Sequence, residues 1–409
     1  MEKLHKLTTR QKIIKLSNLG IPILMGIFIF LNPFPHTTAV KEICFYGSVT
    51  IILILICFWK IDISFRSPLT IPFYLFALWV FIGLFFALDK ENSIHDYLTH
   101  LLKYIIFYYI MINYFYSKER LFYISLIIMV SSGLFSIGNI VYFYLIMGKS
   151  FSTKLMDSPE VAVNLVSILM IPAIVFSLHN IITDNRISVK VLSYMCLFST
   201  SFICFMTRAR STILALFLAC TIIFFKKKKF MIVCIGVILF STIILSINNR
   251  FTKENPFTSL RLDIHFITYE IIKDYPLIGI GYGMETYGNR KYIDLEAYQE
   301  RVPEKYRGGT LHTDPHSLPF SITVRTGLIG LVLYLYILFA SFKMCWFSIK
   351  QGENDLWGRA LLSIFVAILF VGLFEPLHRH VLDVVFFTLL AMITINWKLR
   401  NVETIDKSM

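Results

Sequence analysis

The sequence predicts an all-α polytopic membrane protein with about twelve transmembrane helices and one long loop carrying short helices. Three observations lead there. Of 409 residues, 56% are hydrophobic and only 16% are charged, against about 25% charged in soluble domains. The apolar residues fall into runs of roughly twenty, the length an α-helix needs to cross about 30 Å of hydrocarbon. The roughly ten-residue alternating segments of a membrane barrel are absent.

The spans are expected near residues 18–33, 42–59, 69–88, 97–117, 121–146, 160–182, 189–206, 211–225, 230–247, 319–342, 358–374 and 381–397. They divide the chain into residues 1–247 with spans one to nine, a loop at 248–318, and residues 319–409 with spans ten to twelve and a tail. Short connectors set the orientation by their charge. The N-terminal tail, Lys60 with Arg66, Lys118 with Arg120, Arg186 with Lys190, the run Lys226 to Lys229, the loop at 343–357 and the C-terminal tail all fall on one side. The positive-inside rule makes that side, and both termini, cytoplasmic. The tip 207–210, the loop 248–318 and the segment 375–380 then share the outer face.

The net charge of +13 points to anionic lipid at the cytoplasmic surface rather than to nucleic acid. The basic N-terminus lacks a small-residue cleavage site after the first apolar run, so that run is expected to be a retained anchor. The seven cysteines lie within or beside apolar runs without CxxC spacing, which argues for buried filler over disulfides or zinc.

Within the loop, "SLRLDIHFITYEIIKDYPLIGIGYG" sets Ile264, Ile267, Ile271 and Tyr275 at helical spacing, with Ser259 as a possible N-cap and Pro276 as a stop. An amphipathic helix on the outer membrane surface is expected. The GxGxG of Gly279, Gly281 and Gly283 follows no strand, so it reads as a turn more readily than as a phosphate cradle.

Four stretches carry chemistry. "MTRARS" places Arg208 and Arg210 at the outer end of a span, where a guanidinium is either an interface anchor or reaches a cavity. Arg261 opens the loop helix; it is a solvated charge or a fork for phosphate. "LHTDPHSLPF" groups His312, Asp314 and His316. As metal ligands they lack a completing Cys or acidic cluster. His316, after Pro315 and at the head of span ten, is placed to take a proton from a hydroxyl. "LFEPLHRHVLD" adds Glu375, His378, Arg379 and His380; the two histidines read as interfacial. Lys103 and Arg325 are the evident charges inside spans.

These stretches, in the order "FMTRARST", "SLRLDIHFITYEIIKDYPLIGIGYGMETYGN", "DPHSLPFSITVRTGLIGL" and "GLFEP", resemble the O-antigen ligase and polymerase family over roughly residues 200–380. The resemblance implies a GT-C-like architecture and a metal-independent inverting glycosyltransferase of the bacterial inner membrane, without a cofactor. Its donor would be an undecaprenyl-diphosphate-linked glycan, and its acceptor, for a ligase, the lipid A–core oligosaccharide. Arg210 and Arg261 match the arginines that hold the diphosphate, with Arg208 beside them. His316 matches the base of the Pro-His motif, and Glu375 an acidic position often filled. Ser211 and Ser317 stand where Gly and Asn are common. An O-antigen polymerase shares the same motifs; a polytopic glycan transporter is the reading from another class.

Overall fold

The computed structural model describes residues 9–59, 62–151, 155, 163–207, 209–225, 261–307, 311, 313–351, 355–377 and 380–408. The ninth expected span, the lysine run 226–229, Ser259, Arg208, His312, His378 and Arg379 lie outside these. Arg261 is described by its helical backbone alone.

The described residues are helical without strands. In chain order the helices are α1 (Thr9–Phe30), α2 (Thr38–Trp59), α3 (Thr70–Leu84), α4 (Lys90–Asp96), α5 (Lys103–Tyr114), α6 (Lys118–Ile140), α7 (Val163–Thr183), α8 (Ile187–Thr207), α9 (Arg210–Phe224), α10 (Arg261–Asp274), α11 (Leu295–Arg301), α12 (Leu318–Gln351), α13 (Leu356–Gly372) and α14 (His380–Ser408). Among the described residues, seven helices are long and apolar enough to cross a membrane, and α3, α9 and α13 are shorter apolar helices. The chain is therefore a multi-pass membrane protein. The fourth expected span differs from expectation. The chain is already helical at Lys90 and runs through a π-helical stretch, Tyr97–Leu102, into α5. Its start is set by Asp89, whose carboxylate accepts the Asn92 N–H at 3.1 Å, a side-chain cap that supplies one otherwise unpaired N–H with an acceptor.

Helix α3 illustrates how an all-apolar helix divides its surface. Phe73, Phe76 and Val80 are buried while Ile71, Tyr74, Leu78 and Phe81 are exposed. The first face meets protein and the second is left for lipid. Because lipid is as apolar as these side chains, helix association here rests on close packing and hydrogen bonds rather than on the hydrophobic effect.

The segment after α10 explains the glycine motif. Helix α12 breaks at Gly327, whose φ of 70° and ψ of −178° lie outside the helical region. The break frees carbonyls in the middle of an apolar helix, and the loop fills them. Ile280 N–H donates to Val324 O at 2.8 Å and Gly281 N–H to Arg325 O at 3.2 Å, while Leu328 N–H donates to Pro276 O at 2.8 Å. Backbone polar groups at such a depth must find partners inside the protein. A Cβ on Gly279 would lie 2.5 Å from the Arg325 carbonyl carbon, and one on Gly327 1.8 Å from Leu277 O. These glycines serve close approach between two backbones.

The same packing changes the expectation for α10. Its stripe of Ile267 and Ile271 joins Ile280, Tyr287, Leu295, Tyr298 and Val324 in a small core of its own. The apolar face thus packs on the loop and on α12, not on a membrane surface. Among the described cysteines none is in a disulfide; most are buried, but Cys57 is exposed on α2.

Candidate active site

The bundle brings three distant stretches to one end. His179 near the end of α7 packs on Trp357 at the start of α13, with ring centroids 4.4 Å apart. The α7–α8 and α8–α9 connectors are only a few residues long. Helix α9 therefore starts at the opposite end from Trp357, which is where α13 finishes. Arg210 opens α9 there, Glu375 follows α13 there, and His316 precedes α12 there. The loop is tied to the same end through the turn before α4. Leu88 N–H donates to Ile280 O at 3.0 Å, and Met284 N–H donates to Asp96 Oδ2 at 2.7 Å.

His316 and Glu375 meet directly. His316 Nδ1 lies 3.5 Å from Glu375 Oε2, with the imidazole 27% and the carboxylate 9% exposed. The histidine is held by local geometry. Its φ is +49°, a left-handed conformation that costs a non-glycine residue about 1–3 kcal/mol. Asp314 Oδ1 accepts the His316 N–H at 3.3 Å, and Ser317 O accepts the Ser321 N–H to begin α12. Asp314 is thus a support for the His316 turn, a role the sequence alone did not distinguish from a polar loop. On the other side, Glu375 N–H donates to Val371 O at 3.0 Å, which fixes the carboxylate one turn beyond α13.

Arg210 is exposed at the first position of α9, where Ala209 offers no side-chain cap. The described part of α10 begins at Arg261. Arg210 opens a helix, where N–H groups and the helix dipole favour an anion.

Residues 195–335 match the family model described as O-antigen ligase. This segment is similar to the O-antigen ligase family. The family consists of glycosyltransferase-like membrane enzymes. The match includes Arg208, Arg210, Arg261 and His316 and ends within α12, just past the Gly327 break. Glu375 lies beyond it and meets the matched segment through its contact with His316. No curated protein matches the chain.

The sequence reading missed a second ionisable group at this end. His100 Nδ1 lies 2.6 Å from Asp383 Oδ2, and both side chains are 5% exposed. The His380 ring, itself exposed, stacks on His100 with centroids 3.7 Å apart. Arg325, buried in α12, is electrostatically coupled to the same group. Lys103 and Arg325 are thus not the only charges in the spans. The available signal was Asp383 itself, an acidic residue inside an apolar run.

Proposed function

We propose that this protein is an O-antigen ligase, moving a finished O-polysaccharide from undecaprenyl diphosphate to the lipid A–core oligosaccharide. The observation that carries the reading is the meeting of His316 with Glu375 at the end of the bundle where the matched domain also presents Arg210. His316 takes the proton of the acceptor hydroxyl as that oxygen attacks the anomeric carbon. Glu375 orients the imidazole and stabilises the imidazolium as it forms, the part a carboxylate plays behind a histidine base. The bond from the anomeric carbon to the diphosphate oxygen breaks on the opposite face, so one displacement inverts the configuration. Arg210 and Arg261, with Arg208 nearby, neutralise the charge that develops on the departing diphosphate. Diphosphate is already a good leaving group, so the reaction calls for neither a metal nor a cofactor. The connector charges put both termini in the cytoplasm and this site at the periplasmic face of the inner membrane.

A deletion strain tests the reading. Loss of a ligase leaves long polymer on the lipid carrier, whereas single-unit lipopolysaccharide would identify a polymerase. With purified protein, donor and acceptor, transfer should proceed in EDTA without nucleotide; dependence on a membrane gradient would point to a transporter. In that assay Arg210→Ala and Arg261→Ala should each reduce transfer far more than Arg208→Ala, and the reverse order would place the diphosphate elsewhere.

A further inference from the structure

The buried pair His100–Asp383 belongs to neither the matched domain nor the chemistry above. His100, His380 and Asp383 have the residue types of a zinc site, but their geometry argues otherwise. Ligand atoms around a tetrahedral zinc lie about 3.3 Å apart, given bonds of about 2.0–2.1 Å. His100 Nδ1 and Asp383 Oδ2 stand at 2.6 Å, a direct hydrogen bond. The two imidazoles are stacked with an interplanar angle of 22°, which sets their in-plane lone pairs side by side instead of converging.

The position of the pair is more informative. Asp383 lies in the first turn of α14, and that turn is held at three points from elsewhere in the bundle. Tyr104 Oη donates to His380 O at 3.0 Å. Asn32 Nδ2 donates to Val381 O at 2.8 Å. His100 and Asp383 make the third and strongest tie, charge-assisted and shielded from water. Residues 373–377 follow the end of α13 and carry Glu375. Leu377 in this stretch is buried and lines one small cavity with His100, Asp383, Tyr282 and Tyr334, so the clamped helix start packs against the stretch that carries Glu375.

We propose that His100 and Asp383 are positioning residues that act on the reaction through Glu375, by holding, through Leu377, the stretch that presents its carboxylate to His316. This rests on the functional reading above. A misplacement of about 1 Å in a catalytic group can reduce rate about 10²-fold, so a clamp remote from substrate is a plausible determinant of turnover. Both side chains are 5% exposed, which keeps them from a bulky substrate, so the pair should leave substrate affinity largely unchanged.

The test is a double-mutant cycle on full-length protein in detergent, with kcat and donor KM measured per mole of folded enzyme. Asp383→Asn should lower kcat by about 10-fold or more at nearly constant KM, the pattern of an interaction that matters only in the transition state. Tyr104→Phe, a nearly isosteric change that removes one tie and spares the buried charge, should cause a smaller loss of the same kind. Combined with Glu375→Gln, neither should slow the enzyme further, because both act through the carboxylate already removed. Losses that multiply, or an Asp383→Asn enzyme at full rate, would overturn the positioning role while leaving the ligase reading intact. Glu375→Gln at full rate would overturn the site assignment itself. Wild-type activity lost to chelator and restored by Zn²⁺ would replace the clamp with a metal centre.

Discussion

His100 and Asp383 stand 2.6 Å apart and almost sealed from solvent, whereas His316 and Glu375 stand 3.5 Å apart with the imidazole partly open. The two imidazole–carboxylate pairs occupy the same end of one bundle. They differ in backbone as well. Asp383 belongs to a helical turn, while His316 is held in a left-handed conformation between a proline and a helix start. A short, dry contact has its interaction energy already realised in the resting protein, and it serves structure. A looser contact with a partly exposed imidazole is what the proposed proton acceptor requires. Residue type therefore does not separate scaffold from chemistry here; distance, burial and backbone conformation do.

The comparison is broken most directly by deleting each histidine. His316→Ala should reduce transfer by about 10²–10⁴-fold, the usual contribution of a positioned acid–base group, with unchanged amounts of protein in the membrane. Quantitative blotting beside the carrier-lipid assay checks both halves, and a fully active variant removes the base. His100→Ala should do the opposite first. It removes the buried hydrogen bond to Asp383, a loss of about 1.5–3 kcal/mol for a bond to a charged group, so thermal stability in detergent should fall. An unchanged melting temperature would mean that the pair is not structural. Gly327→Ala sharpens the point that the site end is built on backbone contacts. A Cβ there meets the Leu277 carbonyl in a conformation that also strains alanine, so destabilisation of about 1–3 kcal/mol or more is expected, and wild-type stability would show that the break in α12 relaxes freely.

The smallest effect lies in the loop, and it carries a pH signature. Asp274 accepts from Tyr298 Oη at 2.8 Å and from Arg301 at 2.7 Å, contacts that hold its carboxyl below the ordinary aspartate range. A depressed folded-state pKa means stability that is present above the unfolded value near 3.8 and is lost as pH falls through the folded value. The pair is exposed, so Asp274→Asn should remove under about 1 kcal/mol at neutral pH and flatten the acid limb of an unfolding profile below pH 4. An unaltered acid limb would show that Asp274 contributes nothing.

Much of this architecture was legible in the chain, because the bilayer forces long apolar runs and charges the connectors between them. The isoleucine stripe of α10 was visible from its spacing, since Ile264, Ile267 and Ile271 recur at helical intervals. What covers that stripe was not visible: its neighbours come from α12 and a loop some tens of residues away, and periodicity carries no information on partners. The break at Gly327 was hidden for a related reason. A glycine within an apolar run usually continues the helix, and only the arrival of Ile280 and Gly281 makes the interruption tolerable. The Pro-His stretch pointed to His316 because a titratable ring stands beside a fixed backbone at a span boundary. Its partner Glu375 was a candidate by type, while the His100–Asp383 contact joins residues 283 positions apart in spans that each look unremarkable alone.

The interlock at Gly327 also bears on how the protein can be handled. Val324 and Arg325 supply acceptors to the loop, and Val324 fills part of the loop's own core. A water-soluble fragment cut at residues 261–317 would leave those donors facing solvent and that core open on one side. Antibodies raised against such a peptide should recognise denatured protein on a blot and fail on the folded protein in detergent, so immunogens for this loop need α12 retained.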